Sequence, residues 1–167
     1  YQHYKKLKLL INHGLSDRNK SQCFAYVSRM DTLQAGILIE RLKNLNSRII
    51  LRRKNAEIYF KELKNLPIRL PYENKNEFNS YHLFVIQTDF RDKLQFFLKN
   101  KNIETGVHYP IPIHLQPAAK YLGYKKGDFK NTEKQSRTIL SLPINEFLKK
   151  NEIIYICKMI KAFFNEK

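Results

Sequence analysis

At 167 residues with 43% hydrophobic content, the chain is long enough to bury one sizeable core and too apolar for a disordered segment. Its 31 Lys and Arg against 15 Asp and Glu give a formal charge of +16, which favours anionic partners. The basic residues are dispersed and form no stripe or recognisable binding motif, so nucleic acid is not expected as a partner. No apolar run approaches the roughly 20 residues that cross a bilayer, so no membrane span is expected and a cytoplasmic setting is. Cys23 and Cys157 are far apart, form no CxxC, and read as two buried thiols in a reducing compartment. The first residue is Tyr1, which suggests a processed, truncated or fragmentary chain.

Residues 4–12 (YKKLKLLIN) read as the end of a helix that His13-Gly14 stops, and the following LSDRNKSQCFAYV reads as loop. Ser28-Arg29-Met30-Asp31 fits a capping box, with Ser28 as the cap. Apolar residues at Met30, Leu33, Ile37, Leu42, Leu45, Ile49, Ala56, Tyr59 and Leu63 then follow near-helical spacing. The pattern predicts one helix from Asp31 to Leu66, roughly 50 Å long at about 1.5 Å per residue. Such a spine needs other elements, another domain or a second subunit to pack against it.

Tyr81–Thr88 (YHLFVIQT) is β-branched and aromatic and predicts a central strand. FRDKLQFFLKNKN predicts an amphipathic helix, and IETGVHY a second strand. LQPAAKYLGY predicts a short helix stopped at Gly123, and GDFKNTEKQSRTI another helix. LSLPI predicts a strand, and the C-terminal segment a helix with Ile153, Ile156, Cys157, Ile160 and Phe164 facing a core. The order is that of a small α+β domain, a short sheet covered by helices with a long helix in front.

GVHYPIPIHLQPA (Gly106–Ala118) holds three of the six prolines and two of the five histidines. Proline fixes φ and removes a donor, so this stretch is neither an ordinary helix nor a central strand. Pro110 and Pro112 bias Tyr109 and Ile111 to extended backbone. His108 and Tyr109 are thus presented rigidly at a strand end, where an imidazole and a phenol suit hydroxyl or phosphate oxygens. His108 and His114 lack a third ligand at suitable spacing, so a metal is not expected. There is no glycine-rich phosphate loop and no serine in a nucleophile elbow.

SRMDTLQAGIL, ETGVHYPIPIHLQPA, YLGYKKGDF and ILSLPI occur in order, and together they resemble the C-terminal part of the DegT/StrS nucleotide-sugar aminotransferases. The LINHGLSDRN segment resembles the end of that family's large domain. The resemblance covers essentially the whole chain. It implies fold type I, with residues 1–30 as the tail of the large cofactor domain, 31–66 as a connecting helix and 67–167 as the small α+β domain. It further implies a homodimer, pyridoxal 5'-phosphate as cofactor, and transfer of an amino group, commonly from glutamate, to a nucleotide-linked keto sugar in polysaccharide or amino-sugar biosynthesis. His108 and Tyr109 are implied to lie near the sugar nucleotide, with His114 and Gln116 supporting the same wall.

The family's Schiff-base lysine and most of its phosphate cradle belong to the large domain. No lysine or other residue of this chain is therefore assigned a catalytic role, and the chain alone is expected to be inactive and not to bind the cofactor stably. Ser28 and Arg29 match the family pattern and are the candidate cofactor contacts, although a structural role carries more weight for both. Val27 stands where the family usually has an asparagine that reaches the cofactor phosphate, and it can donate no side-chain hydrogen bond. These departures leave a second reading, a non-catalytic sugar-nucleotide-binding or regulatory module.

Overall fold

The computed structural model describes residues 1–165 as two compact units, Tyr1–Leu45 and the residues from Asn46 onward. The first opens with α1 (Gln2–Leu10). His13 and Gly14 take positive φ values of 54° and 71°, the stop that the sequence predicts. A Cβ on Gly14 would meet the Cys23 carbonyl oxygen at 1.9 Å, so only glycine fits there. The expected loop instead contains a small hairpin, β1 (Leu15–Asp17) and β2 (Lys20–Ser21). Its strands are too short and polar to carry an alternating apolar pattern. Cys23 at its end is exposed, which corrects the expectation of two buried thiols; Cys157 alone is buried.

The single long helix of the sequence reading is two helices, α2 (Thr32–Lys43) and α3 (Leu45–Leu63), with the turn interrupted at Asn44 (φ −104°, ψ 5°). The cap is Asp31 rather than Ser28. The Asp31 carboxylate receives the amide of Gln34, and the Gln34 side chain returns to the Asp31 amide at 3.2 Å. A short acidic side chain makes this reciprocal arrangement with Gln as readily as Ser does with Glu. α2 buries none of its residues, whereas α3 buries Ala56, Tyr59 and Leu63, a stripe at spacings of three and four.

The second unit is built on an antiparallel pair, β3 (Phe84–Gln87) and β4 (Ile139–Leu142), in the register Phe84↔Leu142 to Gln87↔Ile139. β3 is shorter than predicted, because Tyr81 takes φ 47° and ends the extended backbone ahead of Phe84. α4 (Arg91–Asn100), α5 (Lys130–Thr138) and α6 (Lys150–Asn165) fall where the sequence places them. The predicted short helix is a 3₁₀ helix, Pro117–Leu122, ended by Gly123 at φ 76°. Phe84 and Ile86 of β3, Leu140 and Leu142 of β4, and Leu94 and Leu98 of α4 meet the α3 stripe in one core. α6 adds Ile153, Ile156, Cys157, Ile160 and Phe163, and Phe164 packs half-buried against the same cluster.

Polar ties fix the loops that surround this core. The Arg52 guanidinium reaches Glu146 at 2.8 Å and the carbonyls of His82 and Ile144. Tyr59 donates its hydroxyl to the Pro143 carbonyl at 2.8 Å, and burial pushes that phenol well above its usual range. Arg53 grips Glu73 through both terminal nitrogens, at 2.7 and 3.1 Å. Fork-to-carboxylate pairing of this kind fixes direction as well as distance. Among the described residues, no helix is long and apolar enough to cross a membrane.

Candidate functional site

The predicted second strand, IETGVHY, is not a strand. It touches the sheet at one residue, where Gly106 exchanges both backbone hydrogen bonds with Ser141 on β4 (2.7 and 3.1 Å). The reason is local. The His108 ring folds back over Gly106, and a Cβ there would stand 2.7 Å from the imidazole Cε1. Absence of that Cβ leaves room for the imidazole, and the pairing with β4 ends at this residue. The Gln95 side chain holds the preceding residue by donating to the Thr105 carbonyl at 3.2 Å.

His108 Nδ1 lies 3.0 Å from the Ser141 hydroxyl. Tyr109 lies beyond it, 75% exposed, with its ring edge-on to the imidazole at 5.8 Å between centroids. The peptide between the two is cis. His108 and Tyr109 stand side by side on an open rim, the first held by its contact with Ser141 and the second exposed beyond it.

His114 and Gln116 do something different. His114 is buried, with Nε2 at 3.1 Å from Glu133 Oε1 and its ring against Phe129 at 4.7 Å. The same Glu133 oxygen accepts the Gly127 amide at 2.7 Å. That amide bond, followed by the His114 contact, holds the Glu133 carboxyl below its ordinary range. Gln116 donates to the Ile111 carbonyl at 3.3 Å, within the proline segment itself. His114 thus ties the proline segment to the Gly127 turn through Glu133, and Gln116 braces it internally.

Ser141 and Glu133 are the residues that sequence reading passed over. Ser141 is a polar residue inside the apolar run ILSLPI, and Glu133 shares a helix face with Ser136; both carboxylate and hydroxyls are buried. A buried polar group demands a partner, and here the partners are the two histidines of the proline segment.

Ser28 and Arg29 belong to the first unit, and both are exposed. The Ser28 amide donates to the Ile11 carbonyl at 3.0 Å, which fixes the backbone just ahead of α2. A hydroxyl and a guanidinium are donor types that a phosphate group accepts. Val27, 54% exposed next to them in sequence, has no side-chain hydrogen-bond donor. Among the described residues, no three His, Cys, Asp or Glu side chains gather in a metal-binding group.

This architecture, a short sheet covered by helices with one rigid histidine-tyrosine rim, is the C-terminal part of a fold type I transferase. The sequence matches the DegT/DnrJ/EryC1/StrS aminotransferase family over residues 2–161, and the chain belongs to that family. It is 34% identical to the "Pleiotropic regulatory protein" of Geobacillus stearothermophilus, over 96% of this chain and 44% of that protein. It is 31% identical to the dTDP-3-amino-3,6-dideoxy-alpha-D-galactopyranose transaminase of Aneurinibacillus thermoaerophilus, over 95% of this chain and 43% of that protein. Among solved structures, DesV of S. venezuelae in complex with a ketimine intermediate superimposes with a TM-score of 0.89 at 31% identity. That match covers 96% of this chain and 43% of DesV. The chain thus spans less than half the length of these relatives.

Proposed function

We propose that this chain is the substrate-wall portion of a pyridoxal-phosphate-dependent aminotransferase that moves an amino group, from glutamate, to the keto group of a nucleotide-linked sugar. The observation that carries the reading is the His108–Tyr109 rim, held by Ser141 and the proline path in a chain of this family. Imidazole N–H and phenol O–H groups on a rigid edge suit sugar hydroxyls and diphosphate oxygens. Pyridoxal phosphate, when bound, supplies the electron sink for amino transfer. Ser28 and Arg29 would contact its phosphate, and no lysine of this chain is assigned the attachment role. His108 and Tyr109 orient the sugar, and His114 and Gln116 keep the proline segment in place without touching it. Homodimeric assembly belongs to the same reading, as it does in the family.

The test is amino transfer by the complete protein. With glutamate, pyridoxal phosphate and a nucleotide-linked keto sugar, mass spectrometry should find 2-oxoglutarate and the aminated sugar nucleotide in equal amounts. The 167-residue chain alone should develop no visible cofactor absorbance band that borohydride reduces. A stable band would move the attachment lysine into this chain.

The names of two relatives favour a second reading. The "Pleiotropic regulatory protein" and, at 33% identity, the "Erythromycin biosynthesis sensory transduction protein EryC1" of Saccharopolyspora erythraea are named for regulation. With Val27 in place of a donor, a sugar-nucleotide-binding regulatory module has the same rim and no transfer activity. Binding of a sugar nucleotide without any 2-oxoglutarate from glutamate would select it.

A further inference from the structure

We propose that Ser141 is a positioning residue for His108: its hydroxyl donates to His108 Nδ1, so the neutral ring carries its proton on Nε2 and offers that N–H outward to the ligand. The inference about the ligand rests on the reading above; the inference about the ring does not.

Three observations carry it. The first is contact: Ser141 Oγ lies 3.0 Å from His108 Nδ1. The second is burial. Ser141 is 5% exposed, and its backbone is fixed by Gly106 on one side and the β3 ladder on the other, so the hydroxyl has little room to seek another acceptor. The third is satisfaction. Of the buried side-chain polar atoms described, only Thr105 Oγ1 lacks a partner, so the Ser141 hydroxyl is accounted for by the imidazole.

A neutral imidazole has one donor and one acceptor nitrogen, and the bond made by one decides the state of the other. If Nδ1 carried the proton, the Ser141 hydroxyl would accept and its own proton would be left buried and unpaired, a costly outcome. If Ser141 donates, both groups are satisfied and the ring proton sits on Nε2 of a residue that is itself exposed. A donor at that atom selects an oxygen acceptor, such as a sugar hydroxyl, a ring carbonyl or a phosphate oxygen. Gly106 completes the device, since only a residue without a Cβ lets the ring reach Ser141.

The test has a ligand-free arm and a ligand arm. In the complete protein labelled with 15N-histidine, at a pH where the ring is neutral, the His108 signal is the one that Gln replacement (His108→Gln) removes. It should show Nδ1 as the bare, hydrogen-bond-accepting nitrogen and Nε2 as the protonated one. Ser141→Ala should move the Nδ1 resonance as the bond is lost, and Ser141→Thr should restore it. A protonated Nδ1 in the unaltered protein, or no response to Ser141→Ala, overturns the proposal. In the ligand arm, dTDP-glucose and UDP-N-acetylglucosamine serve as probes. Ser141→Ala and His108→Ala should each weaken binding roughly fivefold to tenfold, and the double variant no further, because one interaction is being removed twice. Additive losses overturn the coupling. Weakening by His108→Ala alone overturns the Ser141 inference and leaves the functional reading standing; no effect of His108→Ala removes the functional reading instead.

Discussion

The imidazole of His108 occupies the space that a side chain on Gly106 would need, with its Cε1 atom 2.7 Å from the site of the missing Cβ. Nothing else crowds that position within the tight range, and the backbone bonds between Gly106 and Ser141 do not depend on it. Gly106→Ala should therefore leave the fold nearly untouched while pushing the ring away from Ser141. We expect a Tm within a few degrees of the original and sugar-nucleotide affinity lower by roughly fivefold to tenfold, the scale of one lost hydrogen bond. Calorimetric titration beside a thermal melt separates the two effects. Unchanged affinity would mean that the ring's place over Gly106 has no bearing on binding.

His114 calls for the opposite result. It is buried between Glu133 and Phe129, and its removal leaves a cavity and takes one partner from the carboxylate, which keeps the Gly127 amide. His114→Ala should cost about 2 kcal/mol, a Tm lower by roughly 4–8 °C for a chain of this size. Exchange of the Gly127 amide should quicken in Glu133→Gln, where the acceptor loses its charge. A melt of His114→Ala indistinguishable from the original would show that the buried pair contributes nothing net.

The contrast between these two histidines marks the limit of what the sequence discloses. Proline spacing in YPIPIH announces a rigid, non-helical path, and family motifs locate it. Composition treats His108 and His114 alike, because whether a ring turns outward to a rim or inward to a carboxylate depends on Ser141 and Glu133, 33 and 19 residues away. The helices α4 and α6 were legible because their apolar residues repeat at helical spacing, whereas α5, KNTEKQSRT, carries no apolar residue. The strand expected at IETGVHY was not, since its β-branched residues read as strand while the pairing with β4 stops after Gly106. Asn44 breaks the long helix for a similar reason: the apolar period continues across it, but the backbone there does not.

Glu73 gives a pH prediction. The Arg53 guanidinium first, then the Asn79 amide and the Tyr81 hydroxyl, hold its carboxyl at about 2, against an ordinary 4.5. A carboxyl whose folded value is depressed contributes stability in full above its unfolded value and loses it as pH falls towards the folded one. The contribution should thus be complete above about pH 5 and fade between about pH 4.5 and pH 2. Glu73→Gln should lower Tm near neutrality, and the gap to the original protein should close across that acid window. A gap that stays constant with pH would show that the charge on Glu73 is not what matters.

The two cysteines should be told apart by thiol reagents. Burial, above all, pushes the Cys157 thiol up to about 12, while Cys23 is exposed. At pH 8 a group with that value is ionised in only about one molecule in ten thousand, and the thiolate is the reacting species. Under native conditions Cys23 should label quickly with a chromogenic disulfide, and Cys157 only after denaturant is added. Equal rates for both in the native protein would contradict the packing of α6 against the core.

α2 supplies the last expectation. Its Leu33, Ile37 and Leu42 are 76%, 53% and 66% exposed, and the helix buries nothing. Exposed apolar side chains on one helix associate when their concentration permits, because each pair brought together removes its surface from water. The 167-residue chain should therefore self-associate in light scattering as its concentration rises. Ile37→Glu with Leu42→Glu should shift it towards the monomer. Both positions face solvent, so the pair should change the stability of the second unit by no more than about 0.5 kcal/mol per site. A chain that remains monomeric at high concentration, with or without the two substitutions, would show that this helix carries no attraction of its own.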